Sequence, residues 1–257
     1  MLLSGKSMSI SIIVPCFNET ENIQKGVMDK IGNYTKDNPL FLEVIIADDG
    51  STDESISQIK RDYLPRFPKF RLLELTHGGK ANTVIAATHA AKGDYVFLTD
   101  ADLATPIEDV GKLINKFEET KSEIVIGSRG SVRKDAPLSR QVLALGMIIL
   151  RSVLVGLHDV KDTQCGFKLF RRDVAEDIFQ KLRVFRRKQV NNQASVSAIF
   201  DLEFLYLAQK FGHQIQEVPV TWRHVETRRV SFMKDAIESL LDMARLKWYD
   251  ILGRYNV

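Results

Sequence analysis

The chain has 257 residues, 44% of them hydrophobic, with two cysteines and a formal net charge of +3. That is enough apolar material for one ordinary α/β core and too little cysteine for a disulfide framework, so Cys16 and Cys165 are expected as free thiols in a reducing compartment. The charge is uneven: residues 1–120 carry 13 basic and 18 acidic side chains, whereas residues 121–190 carry 15 and 7. No aromatic-interleaved groove or binding motif accompanies the basic stretch, which argues against nucleic acid as a partner.

At the N-terminus Met1–Met8 is short and mixed, unlike a secretory signal, and the protein is expected to stay inside the cell. From residue 10 a βαβ rhythm begins. Ile10–Val14, Phe41–Ala47, Phe70–Leu75, Tyr95–Thr99 and Glu123–Ile126 are apolar runs of strand length, with helical stretches between them. Asn18-Glu19-Thr20-Glu21 and Ser51-Thr52-Asp53-Glu54 each offer a side-chain acceptor followed three residues later by Glu, the pattern of a helix cap. The sheet is therefore expected to be mostly parallel and flanked by helices. Ligands of such sheets bind outside the carboxyl ends of the strands. That rule selects Asn18 and Glu19, Asp48 and Asp49, Gly78 to Lys80, Asp100 to Asp102, and Ser128 with Arg129.

Two of these groups carry recognisable chemistry. Asp100-Ala101-Asp102 follows an apolar strand directly, and two carboxylates one residue apart can share a divalent cation and a diphosphate; the same tripeptide also occurs in exposed turns. Asp48-Asp49-Gly50-Ser51 ends another strand where a helix begins, which suits a nucleoside, although Asp49 and Ser51 in that place could equally cap the helix. Gly78-Gly79-Lys80 lacks the spacing of a phosphate loop.

After Gly130 come a basic loop and an apolar helix predicted over about residues 137–157. That helix falls short of the roughly 20 residues that span a bilayer and contains Arg151, so an interfacial or buried place is expected. A helix near Asp201–Phe211, a strand near Gln214–Trp222 and an amphipathic helix from about Phe232 to Leu252 complete the chain.

Five segments together carry a resemblance: Ile13-Val14-Pro15-Cys16-Phe17-Asn18-Glu19, Ala47-Asp48-Asp49-Gly50-Ser51-Thr52-Asp53, the Gly79-Lys80 turn, Asp100-Ala101-Asp102 and Gly127-Ser128-Arg129. In this order they resemble the family 2 glycosyltransferases of GT-A fold. Asp162-Thr163-Gln164-Cys165-Gly166-Phe167-Lys168-Leu169-Phe170, then Phe200-Asp201-Leu202-Glu203 and Val218-Pro219-Val220-Thr221-Trp222, resemble within them the dolichyl-phosphate β-glucosyltransferases, with dolichyl-phosphate mannosyltransferases as relatives. The resemblance implies a Rossmann-like sheet over residues 1–222, divided into a nucleotide-binding half (1–130) and an acceptor half (131–222), and a C-terminal helical extension over 223–257.

It also implies the site. Pro15, Phe17, Glu19 and Asp49 would surround the uridine, Asp100 and Ala101 would contact the nucleotide, and Asp102 with Asp100 would bind Mg2+ or Mn2+. Lys80, Gln164 and Arg229 would approach the nucleotide-sugar. Arg129 and Arg140 would hold an acceptor phosphate, and Asp201 is the candidate for a carboxylate base. The implied reaction is inverting transfer of glucose from UDP-glucose to a dolichyl or polyprenyl phosphate. Alternatives are a GDP-mannose or UDP-N-acetylglucosamine donor, or a non-catalytic nucleotide-sugar-binding protein. The sequence shows neither the N-terminal anchor of eukaryotic relatives nor extra membrane helices, so a peripheral protein on the cytoplasmic face is expected, and self-association is compatible with it. The basic residues Arg133, Lys134, Arg140, Arg151, Arg183, Arg186, Arg187 and Lys188 would then meet anionic lipid.

Overall fold

A computed structural model describes residues 8–130, 160–190, 197–223 and 232–256, with single positions between 146 and 158. Arg140, Arg229 and most of the predicted helix 137–157 lie outside the described residues. The chain forms two compact units, residues 1–111 with 166–176, and residues 112–165 with 177–257.

In the first unit β1 (Ile10–Cys16), β2 (Phe41–Asp48), β3 (Phe70–Glu74) and β4 (Tyr95–Leu98) form a parallel sheet in the order β3-β2-β1-β4. Ile12, Ile13 and Val14 of β1 and Val44, Ile45 and Ile46 of β2 are fully buried, as expected for strands covered on both faces. Pairing of Cys16 with Asp48 and of Asp48 with Glu74 brings the carboxyl ends of three strands level. Crossover segments contain α1 (Thr20–Gln24), α2 (Val27–Thr35), α3 (Ser55–Gln58, continued by a π-turn through Tyr63) and α4 (Lys80–Ala90).

The sequence pattern does not announce β6 (Lys168–Arg171), which lies antiparallel against β4 with Leu98 opposite Lys168. It carries the end of the Asp162–Phe170 nonapeptide into the first unit. Its neighbour Phe167 stacks edge-on against Phe97 of β4, 4.7 Å between ring centroids.

The second unit contains β5 (Ile124–Ser128), buried along its whole length and parallel to β7 (Ile215–Pro219). Around them lie α5 (Val110–Thr120, whose first two residues belong to the first unit), α6 (Arg172–Lys181, shared in the same way), α7 (Val184–Val190), α8 (Ser197–Lys210) and α9 (Phe232–Ile251). Phe179, Phe185, Phe200 and Phe204 form the aromatic centre of that unit. Cys16 and Cys165 are buried free thiols. Burial, and then the charge of Asp48, push the Cys16 thiol up to about 12.

The predicted caps act across loops and not on their own helices. Neither α1 nor α3 has a side-chain cap. Asn18, at φ 55°, accepts the Thr52 N–H at 2.8 Å through Oδ1, and its own N–H donates to Ser51 Oγ at 2.9 Å. The Ser51 hydroxyl donates to Asp48, and Asp53 binds Thr20. These bonds lock the loops after β1 and β2 together, and Asp53 Oδ1 also accepts the N–H of Ser55 at the start of α3, at 3.0 Å.

Candidate functional site

The loops at the carboxyl ends of β1 to β4 converge within the first unit. Asp48, with no exposed surface, accepts the N–H groups of Gly50 and Ser51 at 2.9 Å each and so shapes the turn after β2. Gly50 lies at φ 74°, and a β-carbon there would stand 2.9 Å from the His77 nitrogen, which is why this turn requires glycine. Asp49 is also buried: its carboxylate accepts the Gly78 N–H at 2.8 Å and the Gly79 N–H at 2.9 Å. The sequence placed Asp49 on the uridine; in the structure its oxygens organise the loop after β3.

That loop brings in a residue the sequence reading passed over. His77 Nδ1 lies 3.0 Å from the Asp49 carbonyl oxygen and 3.0 Å from Asp49 Oδ2. Both neighbours are acceptors, so Nδ1 carries the hydrogen. The imidazole stacks on Phe17, 4.5 Å between centroids at 25°, and both rings are well exposed. A ring immediately before the Gly78-Gly79 turn was the available signal. Together Phe17 and His77 make an aromatic platform at the strand ends, beside Pro15 at the end of β1.

Asp100, Ala101 and Asp102 follow β4. Asp100 is ion-paired with Lys80, the first residue of α4. Ala101 is buried, and Asp102 Oδ1 accepts the Ala104 N–H at 2.9 Å. Leu103 stands at φ 45°, a left-handed conformation that costs a branched residue about 1–2 kcal/mol and is tolerated where the surrounding turn imposes it. Gly166 of the nonapeptide lies directly against this turn: a β-carbon there would stand 2.6 Å from Cγ and Oδ1 of Asp100. Glu19 completes the acidic cluster. Burial first of all pushes its carboxyl above the ordinary value; a hydrogen bond from Asn22 opposes the shift, and the charges of Asp102, Asp100 and Asp53 add to it.

Among the described residues no group of three or more His, Cys, Asp or Glu side chains could hold a metal ion unaided. Asp100 and Asp102 are two carboxylates of one turn, fewer ligands than a divalent cation takes from protein alone; Mg2+ usually completes its shell with water and substrate phosphates.

The remaining predicted residues lie in the second unit. Arg129, just after β5, makes a two-pronged bond to Asp162, Nε to Oδ2 at 2.7 Å and Nη2 to Oδ1 at 2.8 Å, and its N–H also meets Oδ2. Gln164 sits in an exposed turn. Asp201 lies on α8 and is partly exposed. Its neighbour in the motif, Glu203, is fully buried. That carboxylate accepts the N–H groups of Arg183, Val184 and Phe185 at 2.7–2.9 Å, and the Tyr255 hydroxyl at 2.6 Å. Glu203 therefore satisfies the start of α7.

Residues 11–179 match the protein family described as Glycosyl transferase family 2. The chain belongs to glycosyltransferase family 2. This family 2 enzyme is 33% identical over 96% of its length to a dolichyl-phosphate beta-glucosyltransferase of Dictyostelium discoideum, covering 76% of that protein. It is 32% identical, again over 96% of its length and 76% of the relative, to another of that name from Trichomonas vaginalis. Its fold is that of GT-A glycosyltransferases. The glucosyl-3-phosphoglycerate synthase of Mycobacterium tuberculosis, solved with Mn2+ and UDP-glucose, superposes with a TM-score of 0.63 at 17% identity over 93% of this chain and 79% of that one.

Proposed function

We propose that this glycosyltransferase moves glucose from UDP-glucose to the phosphate of a dolichyl or polyprenyl lipid, with inversion at the anomeric carbon. One observation carries the reading: Gly166, inside the nonapeptide that resembles dolichyl-phosphate β-glucosyltransferases, is seated against the Asp100 carboxylate of the D-x-D turn. The segment most specific to that resemblance thus helps shape the candidate nucleotide site. The names of the relatives supply the sugar and the lipid.

Phe17, His77 and Pro15 offer the uracil a flat apolar surface, while Asp49 orders the backbone beneath it. Lys80 and Arg229 are assigned to the diphosphate, and Asp100 and Ala101 to the nucleotide. Asp100 and Asp102 would hold a divalent cation, whose charge would offset that developing on the departing UDP. Arg129 and Arg140 are assigned to the acceptor phosphate and Gln164 to the sugar. Because a phosphate monoester has a second pKa of about 6, the attacking oxygen is already anionic near neutral pH. Catalysis then rests on positioning and charge neutralisation, with no strong base required. Asp201 keeps the place of a base only if a proton has to be removed. The enzyme would work as a peripheral protein on the cytoplasmic face of a membrane.

The test is a radiolabelled donor screen with a polyprenyl phosphate in detergent, followed by extraction of lipid-linked sugar. UDP-glucose should give product and Asp102→Ala should give none. Product from GDP-mannose or UDP-N-acetylglucosamine in place of UDP-glucose would overturn the donor, and UDP binding without turnover would leave only a binding protein.

A further inference from the structure

The helix α9 has two apolar faces and only one is covered. Met243, Leu246 and Tyr249 are buried, whereas Ile237, Leu241, Trp248, Ile251 and Leu252 are 49–70% exposed. The first four follow at intervals of four, seven and three residues and so form a single stripe along the helix, and Leu252 comes directly after its end.

The charges around this stripe are largely sorted. On α9 the carboxylates of Asp242 and Asp250 are turned inward, 7% and 17% exposed, while their partners Arg245 and Lys247 are 48% and 45% exposed; Glu238, earlier along the side of Arg245, is partly exposed. Next to α9, Arg187 of α7 donates from Nη1 to the Tyr249 hydroxyl at 2.7 Å, and Arg183, Arg186 and Arg187 are all exposed. Arg245 and Lys247 therefore border the apolar stripe on its two sides along its own helix, while Arg187 meets the covered face through Tyr249.

We infer that the outer face of α9 docks on an anionic lipid surface, with Leu241 and Trp248 entering the interface and Arg245 and Lys247 reaching the headgroups. A tryptophan at the boundary and flanking cations are what an interfacial helix uses. A second protein is the poorer occupant, because a stable protein interface takes about 20–30 residues a side and this stripe with Leu252 has five. No helix among the described residues is long and apolar enough to cross a membrane. The inference deepens the reading above, on which it rests only for the membrane as the place where the acceptor resides.

The full chain is sedimented with vesicles of phosphatidylcholine, with and without phosphatidylglycerol, in the absence of donor and metal. The wild type should co-sediment with the anionic vesicles and be released by salt. Leu241→Glu/Trp248→Glu should lower the bound fraction about tenfold or more without changing the melting temperature. Should that variant fold poorly, Arg245→Gln/Lys247→Gln reads the same partition through charge. A wild type that stays in the supernatant, or variants that bind equally well, overturn the inference. So does a wild-type dimer that Leu241→Glu/Trp248→Glu makes monomeric, since the stripe then meets a second copy. Transfer to polyprenyl phosphate dissolved in detergent is measured alongside: vesicle binding without such transfer would sink the donor and acceptor assignment and leave the docking face standing.

Discussion

Replacing Gly166 with alanine isolates the contact between the nonapeptide and the D-x-D turn. The new methyl would meet Cγ and Oδ1 of Asp100 at 2.6 Å, where ordinary contact begins near 3.4 Å, so something has to yield by about 1 Å. The Asp100 carboxylate is only two bonds from the backbone and is paired with Lys80, so moving it disturbs both the pair and the candidate metal position. Overpacking of this kind costs roughly 1–3 kcal/mol of stability, about 2–6 °C in melting temperature for a chain of this size. A 1 Å displacement at a reacting centre can cost about 100-fold in rate. Gly166→Ala should therefore lower kcat/KM for UDP-glucose by about 30- to 100-fold and raise the divalent-metal concentration needed for half-maximal rate, as measured by steady-state transfer at saturating lipid phosphate. The double variant Asp100→Ala/Gly166→Ala should be no less stable than Asp100→Ala alone, because the clash has lost its partner. Wild-type kcat/KM in Gly166→Ala, or full additivity in the double variant, would refute the reasoning.

Removing the imidazole with His77→Ala deletes the stack on Phe17 and should raise KM for the nucleotide-sugar about 2- to 12-fold, the worth of one aromatic pair, with kcat little changed; a fall in kcat at constant KM would place His77 elsewhere in the reaction. Glu203→Ala leaves three N–H groups of α7 and the Tyr255 hydroxyl without their acceptor and should cost about 3–5 kcal/mol in urea unfolding, against about 1 kcal/mol for Tyr255→Phe. A neutral Glu203→Ala would remove its structural role. Burial alone would raise the Asp53 carboxyl, but bonds from Ser55 and Thr20 more than reverse this and hold it near 2, below its ordinary 3.8. Its stabilisation is complete above 3.8 and is lost as pH falls toward 2, so Asp53→Asn should lessen the acid sensitivity of unfolding in that window. Because Asp53 is exposed, the effect should stay below about 1 kcal/mol.

The parallel strands were legible because their β-branched runs are continuous, as burial on both faces demands, and the rule that ligands meet strand ends selected the loops that do converge. The strand β6 was hidden by its shortness and by Lys168 at its start, a charged residue that is nevertheless only 2% exposed. The direction in which polar side chains act was harder to read. Asn18 and Ser51 have the composition of helix caps but bond across loops 33 and 34 residues apart. Sequence spacing records neither distance in space nor which of several nearby donors wins. His77 fell one residue outside the motif that drew attention to its loop.

The late arrival of β6 has a consequence for synthesis. Until residue 171 has left the ribosome, β4 is paired with β1 alone, and Tyr95–Leu98 presents an open, apolar edge. More than 60 residues, including the whole of 112–165, are made in the interval. At about 5–20 residues per second this edge stands uncovered for several seconds, and such edges recruit other chains. The strand that follows Gly166 is thus also the one that covers the edge of β4, and a nascent chain stalled before it would be prone to aggregate and would lack a finished D-x-D turn.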